Sequence, residues 1–169
     1  QTSLRELLDQ AMALQKELEW QREISNRLAR IESHERVREL ETAMALVQQG
    51  LDLYGALPEF MAVANRIGTS IKILDFQQSI EQCIQKRDWL SARAVLEQAA
   101  NSYPAEITWN DLSERIRGGH LKQEIEQSLA EGDLDHARER IVEAKQTHAR
   151  LTRIDALEFE LENAEERRQ

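Results

Sequence analysis

Apolar residues recur at intervals of three and four positions along most of the chain. The first run consists of Leu4, Leu7, Ala11, Leu14 and Leu18, and the second of Val37, Leu40, Met44, Val47, Leu51 and Tyr54. Such intervals place one apolar stripe along each α-helix, while Glu, Gln and Arg occupy the remaining surface. No segment sustains the two-residue alternation of a half-buried strand. The pattern therefore predicts an all-α chain.

Turn-forming residues divide this pattern into helices. Gly55 with Pro58 marks one turn, and Pro104 marks another and is placed to start the following helix. Asp88 and Asp133 stand where an N-cap carboxylate accepts the first unpaired backbone N–H groups. We predict seven helices, at residues 3–33, 37–54, 58–86, 89–103, 105–131, 133–148 and 150–167.

The composition narrows the class of protein. Only 6 Gly and 2 Pro occur in 169 residues, too few to separate the strands of a meander. Hydrophobic residues, at 41%, suffice for a core and exclude wholesale disorder. The formal charge of −9 argues against nucleic-acid binding, and no apolar run approaches the roughly 18 residues of a membrane-spanning helix. Cys83 is the only cysteine, which excludes an intramolecular disulfide and a cysteine-based metal site and favours a reducing, cytoplasmic location.

The beginning of the chain indicates a fragment. The chain begins at Gln1 instead of Met, and helical periodicity is under way by Leu4. We therefore expect a piece of a larger multidomain protein. Charge is unevenly spread, because residues 1–30 sum to zero whereas residues 121–169 sum to −5. The neutral, apolar-rich start is predicted to continue a preceding helical array or to pair with another chain.

The sequence repeats itself at two similar offsets. Residues 80–82, Ile-Glu-Gln, recur 45 positions later at 125–127, and the Ile-Glu of residues 31–32 precedes them by 49 positions. Further matched positions are Asp88 with Asp133, Ala92 with Ala137, Leu96 with Ile141, Ala43 with Ala92, Tyr54 with Tyr103 and Arg66 with Arg115. We therefore predict one domain over residues 1–169, made of a partial repeat at 1–30 and repeats at about 31–79, 80–124 and 125–169.

One unit of this repeat resembles a known family. Ala92, Leu96, Ala99 and Pro104 stand at intervals of four, three and five. The second helix of tetratricopeptide repeats is similar, with a small residue, a bulky apolar residue, a small residue and a terminal proline. Small residues let two helices approach closely, while the bulky residue fills the groove between them. The resemblance covers roughly residues 31–165 and implies antiparallel helical hairpins stacked as a short right-handed solenoid, with some long helices.

Two features depart from that family. The repeat spacings of 45 and 49 exceed its typical length of about 34 residues. Either the first helix of each unit is unusually long, or Gly68 and the pair Gly118-Gly119 are turns that give three helices per repeat. The bulky Ile80 also stands where the family has a first-helix glycine. We therefore describe the chain as tetratricopeptide-like.

No combination of residues predicts catalysis or metal binding. The histidines are scattered along the chain, at His34, His120, His136 and His148. Asp133 and His136 stand three residues apart, which we interpret as a helix cap beside a surface histidine and not as one arm of a metal site. Cys83 is interpreted as a packed thiol, and the sequence contains neither a nucleophile elbow nor a phosphate-binding glycine loop. We therefore expect no catalytic residue, metal or cofactor.

A column of carboxylates is the strongest hypothesis for a binding site. Glu32, Glu81 and Glu126 occupy equivalent positions in three repeats, and the resemblance implies that these positions face a concave groove. The predicted groove residues are Glu32, Arg36, Gln77, Glu81, Gln85, Lys122 and Glu126. An acidic, polar groove favours a basic or amphipathic helical segment of a protein partner, and the plainer interpretation is that the carboxylates are simply solvated. The family's clamp for a terminal carboxylate, built from Lys and Asn, is not supported here.

The tryptophans receive different predictions. Trp89 aligns with Leu134, and Trp109 aligns with Ile154, so both are predicted to lie in the core. Trp20 has no secure equivalent in the other repeats. We predict that it is an exposed anchor for a partner, because exposed tryptophan is enriched at binding hot spots.

Two main hypotheses for function follow. The first is a non-enzymatic protein-interaction or scaffold module that binds a protein or peptide, with neither nucleic acid nor membrane as partner. The alternative is a structural helical spacer, or a coiled-coil-like self-association element, beside a catalytic or signalling domain. In the alternative, the run from Leu4 to Leu18 is a dimer seam. A small enzyme or metal site is the least favoured reading.

Overall fold

The computed structural model describes residues 3–147 and 154–168. Within those ranges the chain forms seven α-helices and no strand, so the all-α prediction is confirmed. The helices are α1 (Leu4–Arg36), α2 (Leu40–Tyr54), α3 (Pro58–Gln85), α4 (Trp89–Ser102), α5 (Thr108–Glu131), α6 (Leu134–Thr147) and α7 (Ile154–Glu166). The predicted end of the sixth helix at 148 and the predicted start of the seventh at 150 lie outside the described residues.

The start of α5 differs from the prediction by three residues. We predicted a start at residue 105, directly after Pro104, whereas the helix begins at Thr108. The intervening residues form a turn in which the Glu106 N–H donates to the Tyr103 carbonyl, at 3.2 Å. The carboxylate of Glu106 accepts hydrogen bonds from both the backbone N–H and the hydroxyl of Thr108, so it satisfies the first free N–H group of the helix.

The glycines that form turns in one of the two alternatives drawn from the sequence lie inside continuous helices. Helix α3 is 28 residues long and contains Gly68, and α5 is 24 residues long and contains Gly118 and Gly119. Within the described residues, these glycines therefore do not divide either helix into two. Helix α1, at 33 residues, is longer still.

The chain divides into two compact units, Gln1–Leu74 and Asp75–Gln169. The core of the first unit comes from the second half of α1, from α2 and from the first half of α3. Its fully buried large side chains are Phe60, Ile31, Ile67 and Val47. Each of them lies on an apolar stripe with helical spacing, which is why three amphipathic helices can close one core.

Gly50 sets the distance between α2 and α3. A Cβ atom at this position would lie 2.5 Å from a ring carbon of Phe60, so only glycine lets the aromatic ring lie against the α2 backbone. Tyr54, one turn later on α2, stacks on the same ring, with centroids 5.9 Å apart and planes 2° apart. The contact between α2 and α3 therefore depends on one missing side chain and one large one.

The second unit contains α4 to α7 and the end of α3. Helix α5 packs against α4, α6 and α7, and α6 also packs against α7. The core cluster between α5, α6 and α7 consists of Leu121, Ile125, Leu134, Ala137, Ile141, Ala144, Leu157 and Leu161. Trp109 is buried, as predicted, and its indole N–H donates to the Tyr103 carbonyl at 2.9 Å. Trp89 is only half-buried, because its ring lies across Gly119 at the edge of the α4–α5 contact.

The same turn closes α1, α3 and α5. Arg38, Arg87 and Gly132 adopt left-handed backbone conformations, with φ of 65°, 56° and 76°. Backbone hydrogen bonds of 2.9 Å then run from Glu39 to His34, from Asp88 to Cys83 and from Asp133 to Ser128. This is the Schellman arrangement, in which the N–H of the residue after the left-handed one returns to a carbonyl five residues earlier. The three turns are separated by 49 and 45 residues, the offsets at which the sequence repeats.

Two of these turns lead into the helix caps that the sequence predicted. The Asp88 carboxylate accepts a hydrogen bond from the Ser91 N–H at 3.1 Å, and the Asp133 carboxylate accepts one from the His136 N–H at 3.2 Å. The hydrogen bonds from Ser91 lower the pKa of the Asp88 carboxyl. Asp133 and His136 are therefore partners in a cap, as we interpreted them.

Candidate functional site

The first half of α1 is exposed along its whole length. Every residue from 3 to 23 is exposed, and Ile24 is the first buried residue among those that the structure describes. The helix begins with a capping box, in which Ser3 and Glu6 exchange side-chain and backbone hydrogen bonds. Its leucine and methionine side chains retain at least half of their surface, with Leu4 at 80%, Leu7 at 53%, Leu8 at 56%, Met12 at 53%, Leu14 at 65% and Leu18 at 64%.

These side chains form one continuous face, which we call the α1 stripe: Leu4, Leu7, Ala11, Leu14 and Leu18, widened on one side by Leu8 and Met12. The core of the first unit uses a different face of the same helix. Ile24 follows Leu18 by six residues, a rotation of about 240° around the helix axis. Ile31 lies on the same side as Ile24. The α1 stripe is therefore not an extension of the core face, and the first unit leaves it uncovered.

The predicted groove residues of the first unit lie at the end of α1. Glu32 and Arg36 are both exposed there. Between them, Glu35 binds the Arg66 guanidinium of α3 through two hydrogen bonds, of 2.8 and 2.6 Å. The hydrogen bond from Arg66 lowers the pKa of Glu35, and Glu32 adds to the negative field that raises the pKa of Arg66. The carboxylate that holds α1 to α3 is thus Glu35, which the sequence prediction did not include.

In the second unit, two predicted groove residues bind α5. The Gln77 amide donates to the Thr108 hydroxyl at 2.8 Å. The Glu81 carboxylate accepts two hydrogen bonds from the Arg115 guanidinium, one of them 3.0 Å long. The Arg115 hydrogen bond lowers the pKa of Glu81, and the same bond raises the pKa of Arg115. These polar pairs fix the register between the end of α3 and the start of α5.

The remaining groove residues line a small pocket of about 190 Å³ in the second unit. Its lining consists of Ile84, Gln85, Arg87, Trp89, Gly119, Lys122, Gln123 and Glu126. Glu126 lies 3.6 Å from Arg87 and 3.7 Å from Lys122. The indole N–H of Trp89 donates to the Gln123 amide oxygen at 2.5 Å. The structure thus brings Gln85, Lys122 and Glu126 together at one pocket.

The acidic character that we predicted for the glutamate column needs correction. Glu81 is paired with Arg115, Glu126 lies between two cations, and Glu32 lies in the field of Arg66. Glu81 and Glu126 therefore face positive charge on their own protein, and much of their attraction for a basic partner is already satisfied. One feature of the sequence indicated these arginine partners: Arg66 and Arg115 stand at matched repeat positions. Which carboxylate each arginine meets depends on helix register, which the sequence pattern does not specify.

The paired carboxylates predict how stability depends on pH. Because the folded pKa values of Glu35 and Glu81 lie below the ordinary carboxyl value, the stability they contribute is complete above that value and is lost as pH falls toward the folded pKa values. We expect Glu35→Gln/Glu81→Gln to lose less stability than the wild type between about pH 7 and about pH 3 in urea denaturation. Glu97→Gln/Glu139→Gln, at exposed positions without ion pairs among the described residues, is the control and should follow the wild type. An unchanged pH profile in the first variant would contradict the account.

Trp20 lies one turn before Ile24, on the face of α1 that packs into the first core. Its ring is 40% exposed, and its edge packs against Tyr54 at a centroid distance of 6.1 Å. Tyr54 in turn donates its hydroxyl hydrogen to Glu23 and carries the Arg27 guanidinium over its ring. Trp20 is thus partly accessible and held in a fixed orientation, and its role as a partner anchor remains a prediction.

The described residues contain no constellation suited to metal chemistry. No group of three or more His, Cys, Asp or Glu side chains converges within them. His34 contacts Glu39 at 2.5 Å and His120 contacts Glu124 at 3.8 Å, while His148 lies outside the described residues. A wider depression of about 620 Å³ exists on the second unit between α4, α5 and α6. One of its arginines, Arg140, is already paired with Glu143 at 2.6 Å.

No described helix is both long enough and apolar enough to span a membrane. Comparison of the chain with protein-family models, with characterised proteins and with solved structures gives no match.

Proposed function

We propose that this chain is a non-enzymatic protein-interaction module whose binding surface is the α1 stripe. The observation that carries the proposal is the exposure of Leu4, Leu7, Leu8, Met12, Leu14 and Leu18 on one helix. Isolated exposed apolar side chains are common on protein surfaces, but a contiguous row of large ones marks an interaction site. The partner that fits such a row is an apolar helix face or groove of a protein.

The energetics of α1 support the same reading. Most helices in proteins are stabilised by packing of their apolar face, and helix propensity alone is marginal in water. Apart from the contact of Trp20 with Tyr54, residues 4–22 have only local support: the capping box and side-chain hydrogen bonds such as Gln15 to Glu19 and Gln21 to Glu17, each 3.0 Å. A partner on the stripe would provide the packing that the rest of the helix obtains from α2.

The proposal treats the remaining helices as a tetratricopeptide-like scaffold, stacked as a right-handed solenoid. Its support is the recurrence of one turn after α1, α3 and α5, together with small buried residues on each following helix. These residues are Ala43 and Gly50 on α2, Ala92 and Ala99 on α4, and Ala137 and Ala144 on α6. We further propose that the module works in the cytoplasm, and the presence of a single cysteine, Cys83, supports that location. We also propose that it is part of a larger protein.

The predicted polar groove is the weaker candidate for the binding surface. Glu81 already faces Arg115, and Glu126 already faces Arg87 and Lys122. Its pocket of about 190 Å³ is small beside the roughly 300–1,000 Å³ of typical ligand sites. The α1 stripe offers apolar surface that the first unit leaves uncovered, and it is therefore the binding surface that we propose.

Capture experiments on matched variants test the proposal. We would immobilise the wild type, Leu7→Gln/Leu14→Gln and Leu90→Gln/Ile107→Gln, and compare the proteins each retains from a lysate of the source cells. Leu90 and Ile107 are as exposed as the stripe residues but stand apart from it, at 73% and 80%. We expect the stripe variant to lose at least one specific protein, a second copy of the chain included, that the control variant retains.

The control also defines the contradicting result. If the stripe variant and the control retain the same proteins in the same amounts as the wild type, the α1 stripe is not a binding surface. Circular dichroism must show that both variants keep the helix content of the wild type, so that a loss of capture reports on the surface and not on folding.

A further inference from the structure

We propose that the occupant of the α1 stripe is a second copy of this chain, with the two α1 helices paired in parallel and in register. This inference rests on the proposed function of the stripe and names its partner. It follows from the spacing of the stripe and from two charged residues that flank it.

The stripe has the spacing of a coiled-coil seam. Leu4, Ala11 and Leu18 stand seven residues apart, and Leu7 and Leu14 occupy the position three residues after the first two. These are the a and d positions of a heptad, which meet at the axis of a two-helix pair. In a parallel pair in register, each layer of the seam contains the same residue from both copies. The short side chain of Ala11 then faces itself between layers of leucine, and no polar side chain enters the seam before Gln21.

The flanking charges are complementary only between two copies. In this heptad Glu17 is a g residue and Arg22 is the e residue of the next heptad. A parallel pair brings g of one helix beside the following e of the other, so that Glu17 meets Arg22 of the second copy, twice by symmetry. Within one helix these residues are five positions apart and do not face each other. Among the described residues Arg22 makes no ion pair, and Glu17 accepts only the Gln21 amide, at 3.0 Å.

The charge of the segment permits two copies to approach. The chain carries −9 overall, but residues 4–22 contain three basic and four acidic side chains, which leaves −1. The other g–e pair of the seam is Gln10 with Gln15, which is neutral. Long-range repulsion between chains is therefore small at the surface that we assign to pairing.

The length of the seam sets the expected affinity. From Leu4 to Leu18 the stripe spans about 22 Å of helix. Strong coiled coils extend over roughly three to four heptads or more, and this seam is shorter. We therefore expect a reversible dimer with a dissociation constant in the micromolar range, about 1–100 µM.

Charge reversal provides the experiment, performed on the full chain by sedimentation equilibrium. Glu17→Arg alone and Arg22→Glu alone each place two like-charged pairs at the interface, and we expect each to raise the dissociation constant about tenfold or more. An equimolar mixture of the two variants restores both opposite-charge pairs, and we expect a heterodimer within about threefold of the wild-type affinity. Isotope labelling of one variant identifies the heterodimer by native mass spectrometry.

Two variants control for net charge. Asp9→Arg and Lys16→Glu make the same changes in charge at f positions, which point away from the seam, and should dimerise like the wild type. High salt should reduce the difference between the reversed and wild-type chains, because the pairs are exposed to solvent.

The other outcomes overturn the inference. A wild type that stays monomeric to about 1 mM contradicts self-pairing, and stripe-dependent capture of a different protein would then leave the proposed function intact. A trimer or tetramer would contradict the two-helix pair that we propose. Dimerisation that charge reversal leaves unchanged, or that the mixture fails to restore, contradicts the parallel register.

Discussion

Phe60→Ala is expected to lower the free energy of unfolding of the first unit by about 3–5 kcal/mol. The Phe60 side chain is fully buried, lies against the backbone of Gly50 and stacks on Tyr54. Removing the ring forfeits its transfer from water and leaves a cavity between α2 and α3. The two helices cannot close that cavity without moving the whole core cluster, since the surrounding residues are themselves buried.

Urea denaturation followed by circular dichroism measures this effect, and amide hydrogen exchange in α2 assigns it to the first unit. Met61→Ala is the matched control, because the next residue of the same helix is 43% exposed. That variant should change stability by less than about 1 kcal/mol. Equal losses in the two variants would mean that Phe60 does not occupy the core position described above.

Gly50→Ala is expected to destabilise the first unit by about 1–3 kcal/mol, although alanine is the better helix former. The added Cβ would lie 2.5 Å from the Phe60 ring, and that ring is fully buried and has no room to retreat. Gly68→Ala is the control in the middle of α3. There the added Cβ would meet only Met44, at 3.7 Å, so the gain in helix propensity should stabilise the protein by roughly 0.5–1 kcal/mol.

The two predictions combine in a sharper test, because the same substitution should change sign with its background. In Phe60→Ala, the ring that obstructs the new methyl group is gone, and Gly50→Ala should then be neutral or stabilising. Double-mutant cycles from urea denaturation measure the coupling, which we expect to exceed about 1 kcal/mol. Additive effects of the two substitutions would show that Gly50 and Phe60 are not in direct contact.

Much of the fold could be predicted from the sequence because helical periodicity is a local signal. The stripe that includes Leu40, Val47 and Tyr54 corresponds to the face of α2 that enters the first core. The turn residues Asp88 and Asp133 cap their helices as predicted. The start of α5 was misplaced because Pro104 is an equally good first helical residue and a good turn residue. The Glu106 side chain, which decides between the two, has no sequence signature of its own.

The contacts of the predicted groove residues were less predictable from the sequence, because these contacts depend on how separate helices align. The sequence identified Glu81 and Arg115 as repeated positions, but not that the two residues bind each other across α3 and α5. In the first unit the partner of Arg66 is Glu35, three residues from the Glu32 that the repeat predicted. A displacement of one helical turn between neighbouring helices is enough to exchange these partners. The negative charge that the predicted groove offers to a partner was therefore overestimated.

The α1 stripe shows the opposite relation between sequence and structure. Its spacing was evident in the sequence, but an amphipathic helix is ordinarily expected to bury its apolar stripe in its own core. Only the structure shows that Ile24 and Ile31 supply the buried face of α1, while Leu14 and Leu18 point elsewhere. The uncovered second face of one helix is what supports a binding function.

Site-specific photo-crosslinking at Ala11 tests that function most directly. Ala11 lies in the centre of the α1 stripe, and Asp9 lies on the opposite face of the same helix and serves as the control. With a photoreactive amino acid at either position and irradiation in source-cell lysate, we expect one discrete protein adduct from position 11 and none from position 9. An adduct of twice the chain mass would identify the second copy. No adduct at position 11, or equal labelling at both positions, would contradict the assignment of the stripe as a binding surface.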